Sequence, residues 1–100
     1  MTTKERAFLK GLAMNLDPVL QIGKASLSDE NLDAIEEVLE ARELIKLNVL
    51  KNCLDDPKEI AVAIAQNVDA EVVQIIGRKI VLFRQARHPE NRKIELPKSK

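Results

Sequence analysis

Gly23-Lys24-Ala25-Ser26 links an apolar run at 19–22 to a helix that opens with Ser28, Asp29 and Glu30. Backbone amides at a helix N-terminus lack intrahelical acceptors, and the helix dipole favours negative charge there. Gly23 permits close approach of another backbone, and Lys24 adds a mobile positive charge. The chemistry this implies is a grip on a phosphate. The spacing is not that of a P-loop, which requires Gly-x-x-x-x-Gly-Lys-Ser/Thr. Taken alone, the four residues are a weak signal and read better as a plain turn.

Basic residues elsewhere strengthen the grip. Arg6 and Lys10 sit four apart on an N-terminal helix, and Arg78 and Lys79 sit at a hairpin turn, with Arg84 further along the same strand. Lysine and arginine grouped in this way neutralise phosphates, which supplies most of the affinity for nucleic acid. The candidate RNA-binding set is therefore Arg6, Lys10, Gly23, Lys24, Ala25, Ser26, Arg78, Lys79 and Arg84. Phe8 and Phe83 are the only aromatic residues, and both fall in apolar stripes expected to be core. Base stacking, which needs exposed aromatics on a sheet, is therefore not expected, and recognition is of backbone and shape on structured RNA.

Catalysis finds little support. Cys53 has no second cysteine, and the sole histidine, His88, lies in a polar C-terminal segment. No zinc-type ligand cluster is present, and no cofactor or metal is expected. The acids Asp33, Glu36, Glu37, Glu40 and Glu43 fall on the outer face of one helix and are expected to be solvated. Without a marked cleft they do not form an acid–base pair. The expectation is a non-enzyme.

The elements that must position these residues follow from local signals. Thr2 with Glu5 has capping-box spacing, and Phe8, Leu9, Leu12, Ala13 and Leu16 form one stripe of a helix that is expected to stop near Asp17-Pro18. Gly11 inside that helix implies a close approach by another backbone or a ligand. Ser28 caps a second helix, with Leu32, Ile35, Val38 and Leu39 buried, running to about Arg42. A strand at 44–51 follows. Asp56-Pro57-Lys58-Glu59 then opens a third helix. Two strands at 71–76 and 79–84 meet at Gly77-Arg78, the Gly-X pair of a type II′ turn.

The order αβαβαββ predicts one α/β domain with a four-stranded mixed sheet and helices mainly on one face. Residues 1–84 form that domain, and 85–100 form a basic, partly flexible tail in which Ile94 to Leu96 dock. Formal charge is zero over the 100 residues but strongly segregated. Residues 1–28 carry four basic against two acidic residues, 29–77 four against twelve, and 78–100 eight against two. If the two ends meet, a basic face opposes an acidic one. The lone cysteine, the absence of an apolar leader and the lack of any long apolar run lead to the expectation of a cytoplasmic monomer.

The blocks KERAFLKGLA, VLQIGKASLSDE, EARELIKLNVL, VVQIIGRKIVLFR and NRKIELP, in this order, resemble the YhbY-type CRM domain, named for chloroplast RNA splicing and ribosome maturation. The resemblance covers residues 2–97. It implies a fold similar to the C-terminal domain of a bacterial initiation factor and a strand-loop-helix clamp like that of KH domains. The family's Gly-x-x-Gly loop corresponds to Gly23-Lys24-Ala25-Ser26, with Ser26 standing where the family often has glycine. A positive φ at that position would strain Ser26; otherwise its hydroxyl can donate to a phosphate. The implied function is non-catalytic binding of large-subunit ribosomal RNA or its precursor particle, with a ribosomal protein as a further partner. A competing reading makes the acidic second helix a docking surface for a basic ribosomal protein or assembly factor.

Overall fold

A computed structural model describes residues 1–97. Its elements are α1 (Thr3–Ala13), β1 (Leu20–Ile22), α2 (Asp29–Arg42), β2 (Leu44–Val49), α3 (Pro57–Val68), β3 (Glu71–Ile76) and β4 (Lys79–Phe83), followed by a 3₁₀ turn, Pro89–Asn91. Each helix starts where its cap dictates. Glu5 N–H donates to Thr2 Oγ1 (3.1 Å) while Thr2 N–H donates to Glu5 Oε1 (2.8 Å), closing the capping box. Asn31 N–H donates to Ser28 Oγ (3.1 Å), and Lys58 N–H to Asp56 Oδ1 (2.9 Å). Helix α1 ends at Ala13, one turn before the Asp17-Pro18 break.

The sheet order is β1-β2-β4-β3, with β1 and β2 parallel and β4 antiparallel to both of its neighbours. Strands β1, β2 and β3 therefore run one way, and β4 is inserted between β2 and β3. The connections β1–α2–β2 and β2–α3–β3 step across the sheet in the same direction. Crossovers of one hand must then put both helices on the same face. Ile35 and Leu39 of α2 and Ile60 and Ile64 of α3 pack there against Ile22, Ile45, Leu47, Ile80 and Leu82.

Helix α1 precedes β1 and is no crossover, so handedness does not constrain it. It covers the opposite face, where Leu9 and Ala13 pack on Leu44, Val73, Val81 and Phe83. Phe8 and Leu12 lie at the flank of that contact and are 39% and 41% exposed, so Phe8 is not the core residue that its stripe predicts. Phe83 is buried. Gly11 faces open space, with nothing within 4 Å of where a Cβ would stand, so no close approach accounts for it. Gly77 has φ +58° and is the only residue of its turn with a positive φ, as a II′ turn requires at its first central position.

Residues 85–97 are bound to the second helix by carboxylates. Glu43 is buried, at φ +67° just beyond the C-terminus of α2. Its Oε2 accepts from Ala86 N–H (2.7 Å), and its Oε1 from Lys93 N–H (2.6 Å) and Ile94 N–H (2.8 Å). Glu40 accepts from the N–H groups of Arg87 (2.8 Å) and His88 (3.1 Å) and from Asn91 Nδ2 (2.9 Å). Ile94 and Leu96 then reach the cluster under α1. The expectation that Glu40 and Glu43 are merely solvated is thus corrected, because backbone N–H groups far along the chain need acceptors and these carboxylates supply them. The expectation of tail flexibility also falls on residues 98–100, which lie outside the described residues.

Candidate nucleic-acid interface

Parallel pairing of β1 and β2 carries the loop after β1 and the segment after β2 to the same end of the sheet. The β3–β4 turn ends there too, since Asn48 pairs with Lys79. Leu50 N–H donates to Ile22 O (2.8 Å), Val49 N–H to Arg78 O (2.8 Å), and Arg78 Nη1 to Leu50 O (3.1 Å), lacing the three segments together. Lys24, Lys51, Arg78 and Lys79 are all exposed at this end. Lys51 is not among the residues that the sequence picks out. Its signal is its place just after β2, which becomes legible only once β1 and β2 are known to be parallel neighbours.

Within the loop, Ser26 N–H donates to Gly23 O (2.9 Å), closing a tight turn over Lys24 and Ala25. The N–H groups of Lys24 and Ala25 at its tip donate to no described residue. Tip amides of this kind are left to solvent or to an anion. The conformational demand falls at the fourth position. Ser26 has φ +58°, the left-handed region that favours glycine, whereas Gly23 has no positive φ. A Cβ at Gly23 would lie 3.5 Å from Leu50 Cδ1 and 3.6 Å from Asn52 Oδ1, in ordinary contact. The Ser26 hydroxyl is hydrogen-bonded to Asp55, and Asn31 Nδ2 donates to Ser26 O (3.0 Å). These bonds hold the residue in place and commit its hydroxyl to Asp55.

Substitution separates the strain from the hydrogen bond. Ser26→Ala removes the hydroxyl and keeps a Cβ in the left-handed region, whereas Ser26→Gly removes both. The glycine variant is expected to be the more stable of the two by about 1 kcal/mol in urea unfolding. Equal stabilities would mean that the positive φ stores no strain.

The remaining members of the predicted set separate. Arg6 is half-buried, and its Nη1 donates to Val72 O (2.6 Å) and Val73 O (3.0 Å). Those carbonyls belong to a bulge between Val72 and Gln74, which places an extra residue on β3. Arg6 therefore satisfies acceptors that the bulge removes from the ladder. It stands on the α1 face, roughly 14 Å along β3 from the hairpin turn at about 3.4 Å per residue. Lys10 lies one helical turn from Arg6, on the same flank of α1, and makes no hydrogen bond or ion pair with a described residue.

Arg84 does not join the group. Its side chain is 6% exposed and points to the α2 side of the sheet, where its guanidinium meets Glu36, Glu40 (3.3 Å) and Val68 O (3.1 Å). The period of two along β4 puts it on the same face as Leu82, away from the face of Lys79. As a buried partner of two carboxylates it is a structural cation, a correction to its place among RNA contacts. Cys53 is buried in the larger core cluster, and His88 is exposed on the docked segment. Among the described residues no group of His, Cys, Asp and Glu is placed to hold a metal ion.

The result is a molecule divided by its sheet. Acids of α2 and α3 lie on one side, where Arg84 and Arg87 pair with Glu36, whereas Lys24, Lys51, Arg78 and Lys79 gather at one end and Arg6 and Lys10 stand on the opposite side. No described helix is long and apolar enough to cross a membrane.

Comparison with known proteins bears on the family and the fold. The chain is 42% identical over 97 residues, 97% of its length, to a Bacillus subtilis protein named Probable RNA-binding protein YqeI, of which it covers 99%. It is 39% identical over 98 residues to a Haemophilus influenzae protein named RNA-binding protein, covering 98% of this chain and 96% of that one. The solution structure of the Staphylococcus aureus protein SAV1595 matches with a TM-score of 0.79 at 42% identity, over 97% of this chain and 99% of that one. The family model for the CRS1 / YhbY (CRM) domain spans residues 1–84. With a matching family model over most of its length and relatives of this identity along nearly all of it, the chain belongs to the CRS1 / YhbY (CRM) domain family.

Proposed function

We propose that this protein binds structured RNA without catalysing a reaction, and that its target is large-subunit ribosomal RNA or the precursor particle containing it. The observation that carries the reading is the cluster of Lys24, Lys51, Arg78 and Lys79 around two backbone N–H groups with no partner among the described residues. An exposed loop with free amides, at the end of the sheet that also carries Lys51, Arg78 and Lys79, fits the phosphate backbone of a folded RNA, with Asp55 on the Ser26 side of the loop as the opposing charge. The names of the relatives support RNA as the ligand class, and the family resemblance is the reason for choosing ribosomal RNA. The acidic helix is the weaker docking surface. Glu36, Glu40 and Glu43 already hold Arg84 and residues 85–97, which leaves Asp29, Glu30, Asp33 and Glu37 for a basic protein partner.

The test is fluorescence anisotropy of a structured large-subunit RNA fragment titrated with the protein at several salt concentrations. Four phosphate contacts give an expected slope of log K against log salt of about −3. Binding that ignores salt, or no binding by folded protein, would sink the proposal.

A further inference from the structure

The half of the sheet that α1 leaves uncovered carries three carboxamides and two lysines. By register, Gln21, Asn48 and Lys79 lie side by side across β1, β2 and β4, and Ile76 of β3 completes the row. Lys46 and Gln74 flank Val81 in the next row, nearer to α1. All of them point to the α1 face. Leu44 and Phe83, one row further on, are the residues that α1 covers. Gln21, Lys79 and Ile76 are exposed, and Lys46, Asn48 and Gln74 are half-buried. None of the three carboxamides hydrogen-bonds to a described residue.

We propose that this surface reads the bases of unpaired nucleotides whose backbone is held by the 23–26 loop. The inference rests on the RNA-binding reading and deepens it. A carboxamide offers a donor and an acceptor side by side, the pairing that matches a base edge. Cross-strand neighbours stand about 5 Å apart, so Gln21 and Asn48 address one base or two adjacent ones. Gln21 precedes Gly23 by two residues, which sets the carboxamide row directly beside the loop amides. Lys46 and Lys79 place positive charge within the patch, and this part of the face carries no acid, so the surface suits a polyanion. In A-form duplexes the major groove is too deep and narrow for side chains and the shallow minor groove is recognised mostly by shape, so base sequence is read chiefly in unpaired segments. With no aromatic residue on the patch, reading proceeds by hydrogen bonds and not by stacking.

The test uses hairpin RNAs with a randomised loop, sequenced after binding, with a fully paired duplex as control. Wild type is expected to prefer its selected loops over scrambled ones by about tenfold. The triple variant Gln21→Ala/Asn48→Ala/Gln74→Ala, with its fold checked by circular dichroism, is expected to lose most of that preference. Its salt slope should match wild type, because no charge is altered. A single Asn48→Ala variant, at the centre of the row, should lose part of the preference. Unchanged preference in both variants overturns the proposal, as does wild-type binding that favours no loop sequence over another or over duplex. Absence of any RNA binding by wild type overturns the function reading together with this one.

Discussion

Lys24→Glu/Arg78→Glu is expected to lower affinity for a structured RNA at least about 100-fold near 0.1 M salt, or about 2.7 kcal/mol. Each phosphate contact releases condensed counterions and contributes roughly 0.7 to 0.9 to the slope of log K against log salt. Losing two contacts should therefore flatten that slope by about 1.5. Reversing the charges adds repulsion to the loss, which is why this change exceeds what alanine would do. Arg78 also donates to Leu50 O (3.1 Å), an exposed bond worth roughly 1 kcal/mol, so the fold should survive. Arg42→Glu is the control, since Arg42 is exposed at the far end of α2, about 20 Å along the helix from the loop. It should leave binding nearly unchanged. If the double variant binds like wild type, the loop end of the sheet is not the RNA surface.

The second large effect is on stability. Glu43→Ala should cost about 3 kcal/mol or more in urea unfolding, a large part of the roughly 5–15 kcal/mol of a typical domain. The substitution strands the N–H groups of Ala86, Lys93 and Ile94 while leaving a Cβ at φ +67°. Glu43→Gln keeps the Oε1 acceptor for Lys93 and Ile94 but sets an NH₂ against Ala86 N–H, so it should fall between alanine and wild type. A Glu43→Ala protein within 1 kcal/mol of wild type, with those three amides still protected from exchange, would refute the anchoring role.

Acid should release the same segment. Burial pushes the Glu43 carboxyl up, but the N–H groups of Lys93, Ala86 and Ile94 outweigh it and hold the carboxyl below its ordinary 4.5. Glu40 is lowered to about 2, chiefly by Asn91 Nδ2 and the Arg87 N–H. Carboxyls depressed in the folded state stabilise it above pH 4.5, and that contribution is lost as pH falls from 4.5 toward 2. Amides 86, 93 and 94 should lose protection, measured against the intrinsic rate at each pH, over that window before those of the central strands.

Much of this protein was determined locally. The Thr2–Glu5 capping box, the Ser28 and Asp56-Pro57 starts and the Gly77-Arg78 turn all close bonds within two to four residues, so residue order alone specified them. The five family-like blocks and the αβαβαββ order likewise followed from sequence. What tertiary structure alone decided was the fate of the charges. Arg6, Arg84, Lys51, Glu40 and Glu43 look alike as polar residues on amphipathic segments, and nothing in their local spacing separates a solvated charge from a structural one. Strand β2 made this harder, because Leu44, Ile45, Leu47 and Val49 are buried across both faces of the sheet, and alternation therefore could not say which face was which. Parallel pairing of β1 with β2 brought Lys24 to Lys51, and only with β4 placed between β2 and β3 did Arg78 join them and Arg84 meet Glu36. These partners lie about 27 to 54 residues apart in the chain, and their meeting depends on strand order, a property of the packed sheet that no short window of residues carries.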